Sequence, residues 1–495
     1  MKKNGNGLSS RQLAIMALGT VIGGSFFLGS AVAVKAAGPS IIISYFLGGI
    51  LIYFILTALS EMTVANPASG SFRAFAVQAF GPGAGFTVGW VYWTGMVLAM
   101  SSEATAVSIL IRSWAPGVPI SLLGSSIIIC VTLLNLLGAD KLIKLESGLA
   151  AVKLLAIASF IILAIMLIAG LLPGVPFIGV GELTREPLMP GGIRGIAGSM
   201  LIVIFSYAGF EIIGLAASEA DKPRETVPKA ITLTVLTLVG FYIVSIAALL
   251  PLIPTTDLNE SISPMVAALN RWGVGWAGSA INIVLITAIL STMLAAMFGL
   301  GRMMRSLASE GQAPRWLKED SNVPRRGILF SGFSMLVGLG IGLLLPRVYL
   351  FLVSSGGFSL LFTYAVIMAT HIKYRKKFGC PPEGKCQMPG YPITSWLALI
   401  SLIAIIFSMP FVPGQASGMV AGVFMVSSYI LIYVAAKIVF TKGENRLFVK
   451  AEESKRHRIR LSTEFSKELI EDISKKQQKL GEEDEGKSDT DERNR

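Results

Sequence analysis

Apolar residues run along most of this chain in long unbroken stretches. They show neither the alternation of a half-buried strand nor the narrow stripe of a surface helix, so each stretch predicts a helix with apolar surroundings on every side. The runs at 41–59, 125–137, 154–172 and 230–250 approach or reach the roughly 20 residues that cross a ~30 Å hydrocarbon core. Read the same way, the whole chain gives spans near 12–36, 39–60, 83–112, 121–138, 147–172, 193–218, 228–252, 275–300, 328–345, 349–372, 393–411 and 418–440. The expectation is therefore an all-α membrane protein of about twelve transmembrane helices. The first stretch is too long for a cleavable leader and lacks a small-residue cleavage pattern, so it is expected to stay as the first helix.

Composition agrees with lipid as the solvent: of 495 residues 53% are hydrophobic and 15% charged, which is too apolar for an ordinary soluble enzyme. The net charge of +12 invites a nucleic-acid reading, but the basic residues sort by loop. With the amino terminus inside, the inside loops up to residue 385 hold about 20 Lys and Arg. The outside loops hold Arg112, Arg185, Arg194, Arg271 and Arg347, with Lys35 at the outer end of the first span. Topology accounts for the charge, nucleic acid is not an expected partner, and both termini are expected in the cytoplasm of a multi-pass plasma-membrane protein. After Thr441 the chain turns charged and low in apolar residues, so residues 441–495 read as a cytoplasmic tail, partly helical and then disordered. Phe465, Leu469, Ile470 and Ile473 have the spacing of a short amphipathic helix there, on the membrane, under the bundle or simply solvated.

Three cysteines occur, Cys130 within a span and Cys380 with Cys386 in an inside loop. No disulfide is expected on a reducing face, and two Cys with the isolated His371 do not make a metal site. Neither a cofactor nor an enzyme is indicated, because no nucleophile with a base and no phosphate-binding loop is present.

Candidate chemistry lies where two spans are interrupted. The first holds Gly19-Thr20-Val21-Ile22-Gly23-Gly24-Ser25-Phe26, the sixth Phe205-Ser206-Tyr207-Ala208-Gly209-Phe210-Glu211. Paired Gly-broken helices in corresponding positions of two five-helix halves point to an inverted-repeat transporter with its site at the midplane. Unwinding frees backbone groups that lipid does not satisfy and a polar substrate does. A zwitterion fits, its carboxylate on N–H groups at the start of one half-helix and its ammonium on carbonyls at the end of another. Gly19-x-x-x-Gly23 and Gly85-x-x-x-Gly89 also fit helix-packing grooves, the reading preferred for Gly85. Ionisable residues inside or at the edge of spans are Glu103, Glu146, Lys153 and Glu211, and such residues mark pathways or relays. Lys153 reads either as a proton-exchanging group or as a snorkelling side chain about two turns from the inside surface. Glu211 reads as a gate beside the break or as a carboxyl hydrogen-bonded between helices, and Glu146 as interfacial.

At these residues the chain resembles the amino acid permeases of the amino acid, polyamine and organocation superfamily, and most closely the bacterial amino acid transporter family. The densest match joins Glu61 through Pro67-Ala68-Ser69-Gly70-Ser71-Phe72 to Gly81-Pro82, Gly85-Phe86 and Gly89-Trp90-Val91-Tyr92-Trp93, with Glu103 and Trp114-Ala115-Pro116 at family spacing. Further matches are Phe205 to Glu211, Glu219-Ala220-Asp221-Lys222-Pro223, Val227-Pro228-Lys229-Ala230-Ile231, Arg302-Met303-Met304, and Gly311-Gln312-Ala313-Pro314.

The resemblance implies a five-plus-five inverted repeat with discontinuous helices 1 and 6 plus two further helices. The transporter domain would cover 1–440, with repeat one about 12–172, repeat two about 193–372 and the extra helices about 393–440. It implies that Ile22, Gly23, Gly24, Ser25 and Phe26 hold the substrate carboxylate. The segment Phe205, Ser206, Tyr207, Ala208 and Gly209 would take the ammonium through the backbone of Phe205, Ser206 and Ala208, and Phe205 would add an aromatic wall. Glu103 and Glu211 fall in the gating or polar pathway, and Lys153 matches the fifth-helix lysine of proton-coupled relatives. The implied activity is amino acid transport, by proton symport or by exchange, with a transporter-like nutrient sensor as the reading from another class. Two departures stand out: Gly23-Gly24-Ser25 replaces the usual Gly-Thr-Gly, and Leu294-Ala295 with Phe298 replaces a polar pair in span eight. The drier wall predicts a substrate with an apolar or small side chain.

Overall fold

The computed structural model describes residues 9–65, 72–137, 139–211, 223–319, 321, 323–380 and 386–441. Every regular element among the described residues is helical. The first span is α1 (Ser10–Val21), α2 (Gly24–Phe27) and α3 (Gly29–Ala37), followed by α4 (Ile41–Ala65), the short α5 (Phe72–Phe80), α6 (Pro82–Ile111), α7 (Ile120–Asn135) and α8 (Ala139–Ile168). Then come α9 (Gly192–Ser206), α10 (Pro223–Leu249), the short α11 (Pro264–Arg271), α12 (Gly275–Ser309), α13 (Arg325–Leu343), α14 (Val348–Phe378), α15 (Ile393–Ser408) and α16 (Ala416–Thr441).

Eight helical runs among the described residues are long and apolar enough to cross a membrane. One of them, Gly29–Val64, turns at Gly38, whose φ of +64° suits glycine, so it holds the end of the first span (α3) and the whole of the second (α4). Three shorter apolar helices, Ile120–Asn135, Val152–Ile168 and Gly192–Ser206, accompany them. With the broken first helix, the expected set of spans is present. The chain enters α1 through a capping box, in which Ser9 accepts from the Gln12 N–H and the Gln12 side chain accepts from the Ser9 N–H.

Burial grades from the centre outward. In α14 83% of the most apolar window is buried and in α6 72%, against 28% for Ile393–Phe411 and 11% for Ala416–Ile438. Spans three and ten thus form the inner wall and the last two face outward. The exposed Phe407, Phe424 and Leu431 are what lipid-facing helices carry, since lipid removes the penalty that water would impose.

Sequence-distant motifs meet at helix ends. Arg73 pairs with Glu310 and donates to Gln312 Oε1 at 2.8 Å, while Trp90 Nε1 donates to the Gln312 carbonyl at 2.9 Å. Gly89 permits this approach, since a Cβ there would sit 2.9 Å from the Arg73 side chain and 3.1 Å from Leu307. Gly85 and Gly89 are therefore packing glycines. Glu61, fully buried, pairs with Arg375 and accepts from the backbone N–H groups of Gln387 and Met388 at 3.2 and 3.1 Å.

One expectation is corrected. Cys380 and Cys386 are joined in a disulfide, with Cα atoms 5.4 Å apart. The compartment argument concerns redox poise, whereas the fold seats two cysteines six positions apart in sequence within bonding reach. The charged tail beyond Thr441, the segment Pro67 to Ser71, the span from Ile212 to Lys222 and the Glu146 side chain lie outside the described residues.

Candidate substrate site at two helix breaks

The first helix breaks because Ile22 and Gly23 are extended, with φ/ψ of −73°/109° and −143°/−166°. An extended pair withdraws residues from the helical ladder and frees amides and carbonyls on both sides of the break. The sixth helix ends at Ser206 in a turn through Tyr207 and Ala208 to Gly209, whose φ is +104°. A Cβ at Gly209 would also lie 2.9 Å from the Thr20 carbonyl, and Thr20 Oγ1 donates to the Gly209 carbonyl at 3.2 Å. The two breaks are thus in contact.

Four helices close on the first break. The Gly24 N–H donates to Glu103 Oε2 of α6 at 2.7 Å. Lys153 of α8 donates to the Gly19 carbonyl at 2.7 Å and to Thr292 Oγ1 of α12 at 2.8 Å. Thr292 in turn donates to the Ile22 carbonyl at 3.1 Å. Tyr349 of α14 donates to the Gly24 carbonyl at 3.3 Å. Space is tightest at Gly24, where a Cβ would stand 2.5 Å from Glu103 Oε2, whereas one on Gly23 would lie 3.2 Å from Oε1. Lys153 is fully buried and Glu103 nearly so. The Lys153 stem therefore does not lift its ammonium to the surface, and the ammonium caps a carbonyl that the break has freed.

Around the second break, Ser206 Oγ donates to the Ser25 carbonyl at 3.1 Å, and the Ser206 carbonyl accepts from Tyr242 Oη at 3.0 Å. The Phe205 carbonyl accepts the Ala208 N–H at 3.1 Å, leaving a second lone pair. Glu211 spans the break and α14, accepting from the Gly209 N–H at 2.9 Å and from Tyr364 Oη at 2.5 Å. Both of its oxygens are engaged, the geometry of a tether. Phe26 stacks on Tyr242 with centroids 3.9 Å apart, and Tyr45 and Tyr207 enclose the pair. In α12, Leu294 and Phe298 are buried and the Arg302 guanidinium lies over the Phe298 ring.

The residues read from the sequence thus fall together: Ile22 to Phe26 and Phe205 to Gly209 form one locus, with Glu103 and Lys153 on the first break and Glu211 on the second. Thr292, Tyr242, Tyr45, Tyr349 and Tyr364 escaped the sequence reading. They sit within ordinary helical stretches, and a buried hydroxyl carries no local mark there. The signal available was polar content inside spans two, seven, eight and ten.

A family model described as amino acid permease matches residues 12–449. A gamma-aminobutyric acid permease of Bacillus subtilis is 34% identical over 431 residues, covering 85% of this chain and 92% of the relative. An aromatic amino acid transport protein of Escherichia coli is 33% identical over 418 residues, 83% and 91% of the two chains. An amino-acid permease of Bacillus subtilis is 32% identical over 411 residues, 82% and 89%.

Proposed function

The chain belongs to the amino acid permease family, and on that premise we propose that it is a proton-coupled amino acid symporter working by alternating access. Members of this family carry amino acids across membranes. The finer reading rests on one observation: a carboxylate, that of Glu103, already sits on the Gly24 N–H at the start of a half-helix. Amides at a helix start favour anions, so a substrate carboxylate suits the same place, and Glu103 acts as the gate that yields it. The substrate ammonium is then taken by carbonyls at the end of α9, those of Phe205, Ser206 and Ala208. Phe205 and Phe26 close over the bound molecule.

Lys153 is the coupling residue in this reading. Protonated, it ties α1 to α8 and α12 through Gly19 and Thr292. Released of its proton, it loses charge and one donor, both contacts weaken, and α1 is freed to swing. A proton taken from outside and given up inside thereby biases the direction of travel. Arginine would not serve, because it does not give up its proton in this range.

The wall of Leu294, Ala295 and Phe298 with the ring cluster at Phe26 suits an apolar or small side chain. Two relatives are named for gamma-aminobutyric acid and for aromatic amino acids, which keeps a dry, ring-lined pocket in view. The domain plan is a transporter core over 1–440 with repeats at about 12–172 and 193–372, and a cytoplasmic tail beyond. The Lys and Arg bias supports an orientation with both ends inside.

The test is uptake of a panel of radiolabelled amino acids into proteoliposomes under an imposed pH gradient. Accumulation that collapses with the gradient supports symport. Uptake that ignores the gradient and requires amino acid on the far side means exchange and removes the role given to Lys153.

A further inference from the structure

The last helix leaves a groove on the outside of the bundle. Near its start α16 lies close on α14, where a Cβ on Gly418 would meet the Ser354 side chain and backbone, and one on Gly422 the Phe358 ring. Further along, α16 turns its rings toward α6: Tyr429 stacks on Trp90 at 5.6 Å, and Tyr433 lies 5.6 Å from Phe86 and packs over Gly83. Between the two contacts a cavity of about 420 Å³ opens, lined by Phe80, Thr87, Val88, Phe362, Val366 and Ile430 among others. Its walls are almost wholly apolar, and Phe80 and Ile430 are exposed.

One end of the groove is basic. Lys373, one helical turn beyond the groove-lining Ala369, is exposed and holds its ammonium 4.7 Å from the centroid of the Phe80 ring. Lys437 is exposed one turn beyond the groove-lining Tyr433. Both helices end on this side, and α14 adds the exposed Lys376 and Lys377 in its last turn. A cation over an aromatic face is held at the mouth rather than free to sweep solvent.

We propose that this groove binds one anionic phospholipid, an acyl chain lying along Phe362, Val366 and Ile430 and the phosphate held between Lys373 and Lys437. Charge complementarity selects this occupant: an apolar slot ending in two cations matches an apolar chain ending in an anion, and basic pockets between spans at a membrane face bind acidic headgroups. The lipid fills the gap between α16 and the inner helices α6 and α14, and so braces the outermost helix against the pathway wall.

The probe is phosphatidylglycerol, with phosphatidylcholine as the zwitterionic control, titrated onto the full-length protein in non-ionic detergent and counted by native mass spectrometry. The proposal expects one phosphatidylglycerol bound more tightly than the rest, and affinity lowered about fivefold by each of Lys373→Gln and Lys437→Gln. Phosphatidylcholine binding should not change with either. Val366→Trp, which fills the slot, should abolish the tight site. If that variant does not fold, judged by thermal unfolding, the exposed lysine pair decides alone. Unchanged phosphatidylglycerol binding in the double lysine variant overturns the proposal. So does a lipid-free dimer of the wild type that Val366→Trp converts to monomer, since the groove would then hold a second copy.

Discussion

The Glu103 carboxylate accepts the N–H of Gly24 at 2.7 Å, so an anion from span three occupies the first amide of the half-helix that follows the break in span one. In the proposed mechanism this contact is exchanged for one to the substrate.

Glu103→Gln keeps the shape and weakens the contact, because a charged acceptor binds an amide roughly twice as strongly as a neutral one. A weaker occupant competes less with the substrate. The expected result is an apparent KM several-fold lower together with a slower maximal rate, measured as initial uptake in proteoliposomes; a raised KM would show that Glu103 assists binding instead.

Gly24→Ala places a methyl group 2.5 Å from Glu103 Oε2, whereas Gly23→Ala meets Oε1 at 3.2 Å. Overpacking of this kind costs about 1–3 kcal/mol. Uptake by Gly24→Ala should fall about tenfold or more while Gly23→Ala retains a larger share. Equal activities would show that Glu103 moves aside without loss.

Lys153→Ala should abolish gradient-driven accumulation yet leave counterflow between two substrate pools measurable. Lys153→Arg keeps the charge without the exchangeable proton, so it should resemble the alanine variant in accumulation. Full symport by the arginine variant would exclude Lys153 as the proton carrier.

Arg375→Ala takes the guanidinium from the fully buried Glu61, which keeps His371 at 3.5 Å and the backbone N–H groups of Gln387 and Met388. Removing one partner of a buried pair costs about 3–5 kcal/mol. The variant's Tm in detergent should drop clearly, and adding Glu61→Gln should restore part of the loss. No recovery in the double variant would mean that Arg375 acts through packing on Tyr391, over whose ring it lies.

Glu260, in the loop before α11, has its carboxyl pushed up from 4.5 by burial, with Arg347 at 3.9 Å opposing. The folded state then holds the proton more tightly than the unfolded chain, so this group's contribution to stability falls as pH rises from the unfolded value through the folded one. Glu260→Gln should therefore be more stable than the wild type near neutral pH, with the advantage disappearing below about 4.5. A thermal-unfolding series across that range checks it, and an unchanged difference at all pH values would refute it.

The spans were legible in the sequence because each apolar run is its own evidence: cost in water and comfort in lipid are local sums over side chains. The two breaks were legible too, since paired glycines interrupt the apolar runs there and Gly209 has the positive φ that favours glycine; that Gly23 and Gly24 leave room for Glu103 was not. The early start of α8 at Ala139 and the passage of α10 through Pro228 were less so, because hydropathy gives no signal through Asp140, Lys141, Lys144 and Glu146 or across a proline. The disulfide between Cys380 and Cys386 ran against the compartment argument, which carries no information about distance.

By itself the sequence determined that this chain is a helical membrane protein, where its helices break, and which charges are expensive enough inside a membrane to matter. Only the tertiary structure decided what those charges touch. That Glu103 reaches Gly24, that Lys153 reaches both Gly19 and Thr292, and that Tyr242 covers Ser206 are contacts over 36 to 139 residues of separation. Such contacts depend on helix rotation and packing of the whole bundle, quantities shared among many side chains and carried by no single stretch.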